Sequence, residues 1–358
     1  MRCLATLLLV AATACAQRAT ENVLLVTLDG LRWQDVFQGA DNRMINKPDG
    51  GVRDLRQLRR EFYRGAPEVR RALLMPFLWG VIAEQGQLFG DPAAGARAVV
   101  TNPHRFSYPG YSELLTGFVD DEIDSNNKLP NPNVTVLEFL NGRPGFEGRV
   151  AAFSGWDVHE YIVNARRSGV FCEVAWAPVT VATSPARALE LNRAAAALPR
   201  PWAEGFCFDV VTYERAREYL LVERPRVLYV ALGETDEWAH ARRYDLYLQM
   251  ARRGDEMVRD LWETMQGIEQ YRGKTTLVLT VDHGRGRTPR DWTDHGAKVE
   301  GAEEVWMAVM GPDTPALGVR RDVATNQAMI ASTVASLLGE DLRAASPKAA
   351  SPLPGVLR

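Results

Sequence analysis

Charge of one sign is in short supply here. Charged residues make up 24% of the chain, but the formal net charge is only -3, so nothing argues for a nucleic-acid-binding surface. Arginines gather between Arg53 and Arg71, yet Leu, Phe and Glu interleave them, the pattern of a solvated helix face rather than a phosphate track. Beyond the N-terminus no stretch is long and apolar enough for a transmembrane helix. There is no internal repeat and no long low-complexity segment. No G-x-S-x-G elbow of the α/β-hydrolase kind occurs, and no G-x-x-x-x-G-K-[ST] phosphate loop. The GRGR run at Gly284 to Arg287 lacks the third glycine of a dinucleotide fingerprint. The four cysteines include Cys3 and Cys15 near the start. Cys172 and Cys207 remain, either as a disulfide in an oxidising compartment or as two separate buried thiols.

What is present begins with a leader. Arg2 is a short positive region, Leu4 to Ala12 an apolar one, and Ala14-Cys15-Ala16 a cleavage pattern, so residues 1–16 read as a signal peptide. The expected location is secreted or periplasmic, with lipidation at Cys15 as a second reading. The chain of 358 residues allows one elaborated domain or two. Strands are expected at Val23 to Leu28, Arg97 to Thr101, Arg149 to Phe153, Val227 to Leu232, Thr275 to Val281 and Val305 to Met310. Amphipathic stretches such as Tyr244 to Met265 lie between them. Continuous apolar strands alternating with helices predict an α/β fold, a mostly parallel central sheet with helices on both faces. The catalytic domain is placed at 21–343. Within it, 156–224 is poor in ligand residues and reads as a possible cap. The tail, 344–358, is rich in Ala, Pro and Ser and is expected to be disordered.

Three strands end in acids. VLLVTLDG ends in Asp29, VLYVALGETD in Asp236, and TLVLTVDHG in Asp282 and His283. The carboxyl ends of a parallel sheet are where open α/β folds place ligands. Of the five histidines, three stand near an Asp. Asp236 and His240 are four apart, so one helical turn can aim both at one ion. Asp282-His283 is a strand-end pair, and His295 follows in T-D-H-G. Any of these pieces alone occurs by chance, and strand-end Asp residues often cap helices. Together they supply three protein ligands for each of two sites, of the carboxylate and imidazole type that suits zinc. Two such ions suggest hydrolysis at phosphorus or sulfur. A nucleophile is offered by NPHRFSYPGYSELLTG, where Ser107 opens a helical pattern. Taken alone, Ser107 reads better as a helix cap.

In this order the motifs resemble those of the alkaline phosphatase superfamily, most closely its nucleotide pyrophosphatase/phosphodiesterase branch. The resemblance spans Val23 to about Met310. It implies an alkaline phosphatase-like sandwich. One divalent ion, by preference Zn2+, would be held by Asp236, His240 and His295. A second would be held by Asp29, Asp282 and His283, with the Ser107 oxygen as a further ligand. Asn127, or Asn126 beside it, would donate to a phosphoryl oxygen. Departures shape the specificity. Sulfatases of the superfamily need C/S-x-P-x-R, and Tyr111 stands where that Arg belongs. The K-x-R clamp of some monoesterases is replaced by FSGWDVHE, with Trp156 and His159. The chain is therefore read as a secreted hydrolase of small-molecule phosphate esters. Ser107 would attack in line to give a phosphoserine, with diesters preferred. A phosphomonoesterase, a phosphotransferase, a sulfatase-like hydrolase or a non-catalytic binding protein on the same fold are the alternatives.

Overall fold

A computed structural model describes residues 18–357. The leader read at 1–16, with Cys3 and Cys15, lies outside the described residues. The strands are β1 (Asn22–Leu28), β2 (Gln87–Phe89), β3 (Arg97–Val99), β4 (Val150–Ser154), β5 (Phe171–Val174), β6 (Val227–Leu232), β7 (Thr275–Thr280), β8 (Met307–Met310), β9 (Gly318–Val319) and β10 (Ala324–Asn326). Eight form one sheet in the order β5-β4-β6-β1-β7-β8-β2-β9. Every ladder in it is parallel except the two made by β8, with β7 and with β2. The expected α/β class with a mostly parallel sheet is what the chain adopts.

The central strands are apolar because both their faces are covered. β1, β6 and β7 are buried along their whole length, which removes the alternation of a half-exposed strand. The Tyr244–Gly267 helix packs on β1 and β7. Its buried positions include Tyr244, Tyr247, Leu248, Ala251, Asp255, Val258, Leu261 and Met265, one stripe at helical spacing. The Asp209–Glu223 helix covers β4 and β6, and the Met329–Leu337 helix packs against Ser107–Thr116.

Three expectations are corrected. The run at Arg97 is a strand, but it pairs with β10 in a separate two-stranded sheet. The segment 156–224 is not a cap throughout. It supplies edge strand β5 and the Asp209–Glu223 helix of the main layer, and only the Pro185–Ala197 helix, with no buried residue, stands outside. The tail is ordered through residue 357. Ala349, Leu353 and Val356 are buried. Ala350 donates to the Gly117 carbonyl at 2.8 Å, and Leu353 N–H donates to Thr333 Oγ1 at 2.8 Å. Three apolar anchors at near-helical spacing outweigh the polar composition around them. Cys172 and Cys207 are free thiols, which burial pushes up to about 12 and about 11.

Candidate active site

The sheet changes direction at β1. The strands β4, β5 and β6 lie to one side of it and β7 and β8 to the other. Such a switch point opens a crevice at the carboxyl ends of the strands. Register brings those ends level, since Leu28 pairs with Leu232 and Thr27 with Thr280. Asp29, the turn leading to Asp236, and Asp282-His283 therefore leave the sheet side by side. Asp29 N–H still bonds the Leu232 carbonyl at 2.9 Å, and Thr235 Oγ1 donates to the Asp29 carbonyl at 2.5 Å.

Two groups of ligand atoms result, each lying within 4.8 Å of one another. One is Asp236, His240 and His295, as expected. The other is Asp29, Asp236 and His283. Asp236 thus joins both groups, and its oxygens divide. Oδ2 is 3.1 Å from His240 Nε2, while Oδ1 is 3.7 Å from the Nε2 of both His283 and His295. Asp282 is near but not in the tight set. Its Oδ2 is 3.4 Å from His283 Nε2, and its Oδ1 accepts the Gly30 N–H at 3.1 Å.

The donor set fits a cation. Asp29 Oδ1, Asp282 Oδ2 and His295 Nδ1 are buried without a hydrogen-bond partner, a costly state for such atoms. The Nε2 atoms of His240 and His295 face one another at 3.0 Å. Burial first, then the neighbouring His283, depresses both imidazoles and keeps them neutral, the form that binds metal. Burial, and then Asp29, hold Asp282 well above the ordinary carboxylate range. Burial also opposes charge on His283, but Asp282 and Asp29 overcome it and raise that ring to about 9. A crowded acid cluster without counter-charge behaves in this way.

Ser107 opens the Ser107–Thr116 helix, whose residues are all buried. Its Oγ is 3.4 Å from His283 Nε2. The helix sits hard against the end of β7, because a Cβ on Gly110 would run into the Asp282 carbonyl. The loop before it is held by Glu113, which the sequence reading missed. Its carboxylate accepts Thr101 N–H at 2.9 Å, Thr101 Oγ1 at 2.7 Å, and Asn102 N–H and Nδ2 at 2.9 Å each. Asn102 Oδ1 in turn accepts Arg105 N–H at 2.8 Å, and Arg105 takes a left-handed conformation, φ 54°, that a non-glycine residue adopts only under such constraint.

Of the two candidate amides, the cavity is lined by Asn126 and not by Asn127, a correction. Tyr108 N–H donates to Asn126 Oδ1 at 3.0 Å, which fixes the amide and turns its NH2 end away from that bond. Asn127 lines a separate hollow with Glu122 and Leu129. Two further residues belong to the site. Tyr111 donates to Asp29 Oδ2 at 2.9 Å. Arg285, fully buried, donates to the Thr293 carbonyl at 2.6 Å and to the Asp236 carboxylate, and burial lowers it to about 9. The GRGR run after DHG was the one signal for it.

A cavity of about 330 Å³ opens over these groups. It is lined by Asp29, Ser107, Asn126, Trp156, Phe206, Asp236, Glu237, His240 and His295. Burial raises Glu237 to about 7, against the pull of His240. A larger hollow, about 630 Å³, lies elsewhere among Arg18, Arg226, Glu340 and Arg343, and none of the candidate site residues lines it.

No protein-family model and no curated protein matches the chain. Solved structures do. A phosphonate monoester hydrolase from Silicibacter pomeroyi is similar at TM-score 0.59 and 14% identity, over 94% of this chain and 76% of that one. A variant of the alkaline phosphatase PafA is similar at TM-score 0.57 and 11% identity, over 96% of this chain and 100% of that one. A 2-O GAG sulfatase is similar at TM-score 0.55 and 15% identity, over 95% and 74%. The fold is that of the alkaline phosphatase superfamily.

Proposed function

We propose that this chain, on its alkaline phosphatase-superfamily fold, is an exported, metal-dependent hydrolase of phosphate esters that prefers diesters. One observation carries the reading. Ser107 Oγ stands 3.4 Å from His283 Nε2, at a cavity whose other polar walls are Asp29, Asp236, His240 and His295 of the two ligand groups, together with Asn126 and Glu237. In this reading Asp236, His240 and His295 hold one ion, and Asp29 and His283, with Asp282 or Asp236, hold a second. Two zinc ions would neutralise the acids and stabilise negative charge on the reacting oxygens.

The protein's own groups do the rest. Ser107 is the nucleophile, presented on a rigid helix so that it attacks phosphorus in line. The Nδ1 of His283 faces the Gly284 carbonyl at 2.9 Å. With an ion in place of the proton that the acids otherwise hold on His283, a proton on Nδ1 would leave the Nε2 lone pair to serve as its ligand. Asn126 donates from Nδ2 to a phosphoryl oxygen as charge develops there. Tyr111 holds Asp29 in place, so the position that a sulfatase gives to Arg here serves a carboxylate. Attack breaks the P–O bond to one ester oxygen, whose alcohol departs with a proton, and water then cleaves the phosphoserine bond to free Ser107 and a phosphate monoester. The cavity has no Lys or Arg in its lining, which suits a singly charged diester better than a dianion. The test is kcat/KM on bis(p-nitrophenyl) phosphate, p-nitrophenyl phosphate and p-nitrophenyl sulfate with the zinc-loaded protein. The diester is expected to lead and the sulfate to trail. A lead for the monoester overturns the preference, and no turnover of any phosphate ester overturns the activity.

A further inference from the structure

The segment 117–135 connects the Ser107–Thr116 helix to the Val136–Asn141 helix without regular structure. Loops of such length inside a compact domain are usually functional. This one carries Asn126, which lines the Ser107 cavity. Behind it lies a hollow of about 240 Å³, whose lining includes Tyr108, Glu122, Ile123, Asp124, Leu129 and Pro130. An arch over a hollow has no packed floor, so packing alone does not fix its height. The ion pair on its outer side adds little. Lys128 meets Asp157 at 2.6 Å, but Lys128 is 52% exposed, and water screens such a pair.

Tyr108 supplies the missing support from inside. It follows Ser107 on the first turn of a helix whose residues are all buried, so it shares the rigid frame of the nucleophile. Its backbone N–H holds Asn126 Oδ1 at 3.0 Å. Its phenol donates to the Leu129 carbonyl at 2.6 Å. The Tyr161 carbonyl lies 3.5 Å from the same oxygen, at the far limit of a hydrogen bond, so Leu129 is the partner. Burial pushes the phenol's pKa up, against the pull of Arg167, which keeps it a donor at neutral pH. One residue thus grips the loop at Asn126 and again at Leu129. A phenylalanine would fill the same space and leave the second point ungripped.

We propose that the Tyr108 hydroxyl is a positioning group for the reaction: by holding the Leu129 carbonyl it sets the loop so that Asn126 Nδ2 meets the phosphoryl oxygen. This rests on the reading above, in which Asn126 is a transition-state donor. The backbone bond alone lets the amide pivot about one point, and the bond from the phenol removes that freedom. Tyr108 is outside the cavity lining, so its effect on rate passes through the amide. The Ser107–His283 contact is made by the helix and not by the loop, so the nucleophile stays in place when the loop slackens. Leu129 is 65% exposed, so its carbonyl can turn to water and Tyr108→Phe should fold.

The experiment is a double-mutant cycle of Tyr108→Phe and Asn126→Ala, read as kcat and KM on bis(p-nitrophenyl) phosphate with the zinc-loaded protein. Tyr108→Phe alone is expected to lose about 10-fold in kcat at unchanged KM and zinc content, short of the roughly 10²-fold that a misplacement near 1 Å costs. Made in Asn126→Ala, it should lose almost nothing further, because the group it positions is already gone. Equal losses in both backgrounds overturn the proposal. Wild-type kcat in Tyr108→Phe, or a change confined to KM, overturns it too. Amide hydrogen exchange is the second measurement and needs no turnover. Residues 118–131 should exchange faster in Tyr108→Phe, while the Ser107–Thr116 helix keeps the wild-type rate. If the wild type turns over no phosphate ester, the parent reading has failed and exchange decides the rest. Faster exchange then supports the phenol as what holds the loop, and unchanged exchange removes it.

Discussion

Glu113 is the residue whose removal tests most directly how the nucleophile is held. Its buried carboxylate gathers four donors, Thr101 N–H, Thr101 Oγ1, Asn102 N–H and Asn102 Nδ2. In Glu113→Ala the two from Thr101, an exposed residue, can turn to water. The two from Asn102 cannot, because that residue is 3% exposed. Each buried donor left without an acceptor costs about 1–3 kcal/mol, so the variant should lose roughly 2–6 kcal/mol by urea denaturation. A domain with about 5–15 kcal/mol of stability survives that loss, so the variant should fold. The damage should be concentrated at the site, because the same bonds brace Arg105 and the turn into Ser107. A displacement near 1 Å at a nucleophile costs about 10²-fold in rate, so kcat should fall by roughly that much with zinc content unchanged. Glu113→Gln keeps one acceptor and the shape, and should lie between. Wild-type urea midpoint and wild-type kcat in Glu113→Ala would refute the reasoning.

The other predictions are independent of this one. Ser107→Ala should keep the fold and the metal but lose at least about 10³-fold in kcat; near-normal turnover removes Ser107 as the nucleophile. Asn126→Ala should lose roughly 10²-fold, as one transition-state donor among several, while Asn127→Ala should change kcat little, and the reverse order would restore the amide we have corrected. Elemental analysis of His240→Ala and Asp236→Ala should show loss of zinc, with the greater loss in Asp236→Ala because both ligand groups share that residue; full occupancy in both variants defeats the assignment. Burial holds His159 down at about 4, below its unfolded value near 6.5. The unfolded chain therefore takes up the proton first, so stability is intact above about pH 6.5 and falls as pH drops toward 4, by up to about 1.4 kcal/mol per pH unit. The slope of unfolding free energy against pH in that window should be shallower in His159→Phe, and equal slopes would count against the buried neutral imidazole.

Much of this architecture could be read from the sequence because its strongest signals are local. A fully buried parallel strand is a continuous apolar run, so β1, β6 and β7 were found within a residue or so of their ends. The acids after them and the D-x-x-x-H turn are equally local, and His240 and Asp236 needed only helical spacing to be paired. Short strands were missed, because β2, β5 and β9 have two to four residues and owe their conformation to neighbours far away in sequence. The choice between Asn126 and Asn127 could not be made from a run of polar residues. It depends on which one meets Tyr108 N–H, a contact across the loop. Glu113 left no signal in the sequence, and Arg285 only the GRGR run, for a related reason. A buried charge is tolerated only where its partners converge, and those partners, Asp236 and Thr293 for one, Thr101 and Asn102 for the other, are set by the fold. The tail was misjudged because composition averages over Ala349, Leu353 and Val356, whereas packing acts on each one.

The position of β1 has a consequence for how the molecule comes into being. It comes first in sequence among the described strands, yet its two neighbours in the sheet, β6 and β7, are among the later ones. Until they emerge, a strand that is apolar on both faces has no ladder on either side, and pairing it late is slow because the intervening chain must close a very long loop. The ion sites inherit the same timing. Asp29 is brought to Asp236, His283 and His295 only when β1 has paired with β6 and β7. If the proposed zinc sites hold, loading would follow the pairing of β1 with β6 and β7, and zinc in the medium during refolding should speed only the last kinetic phase.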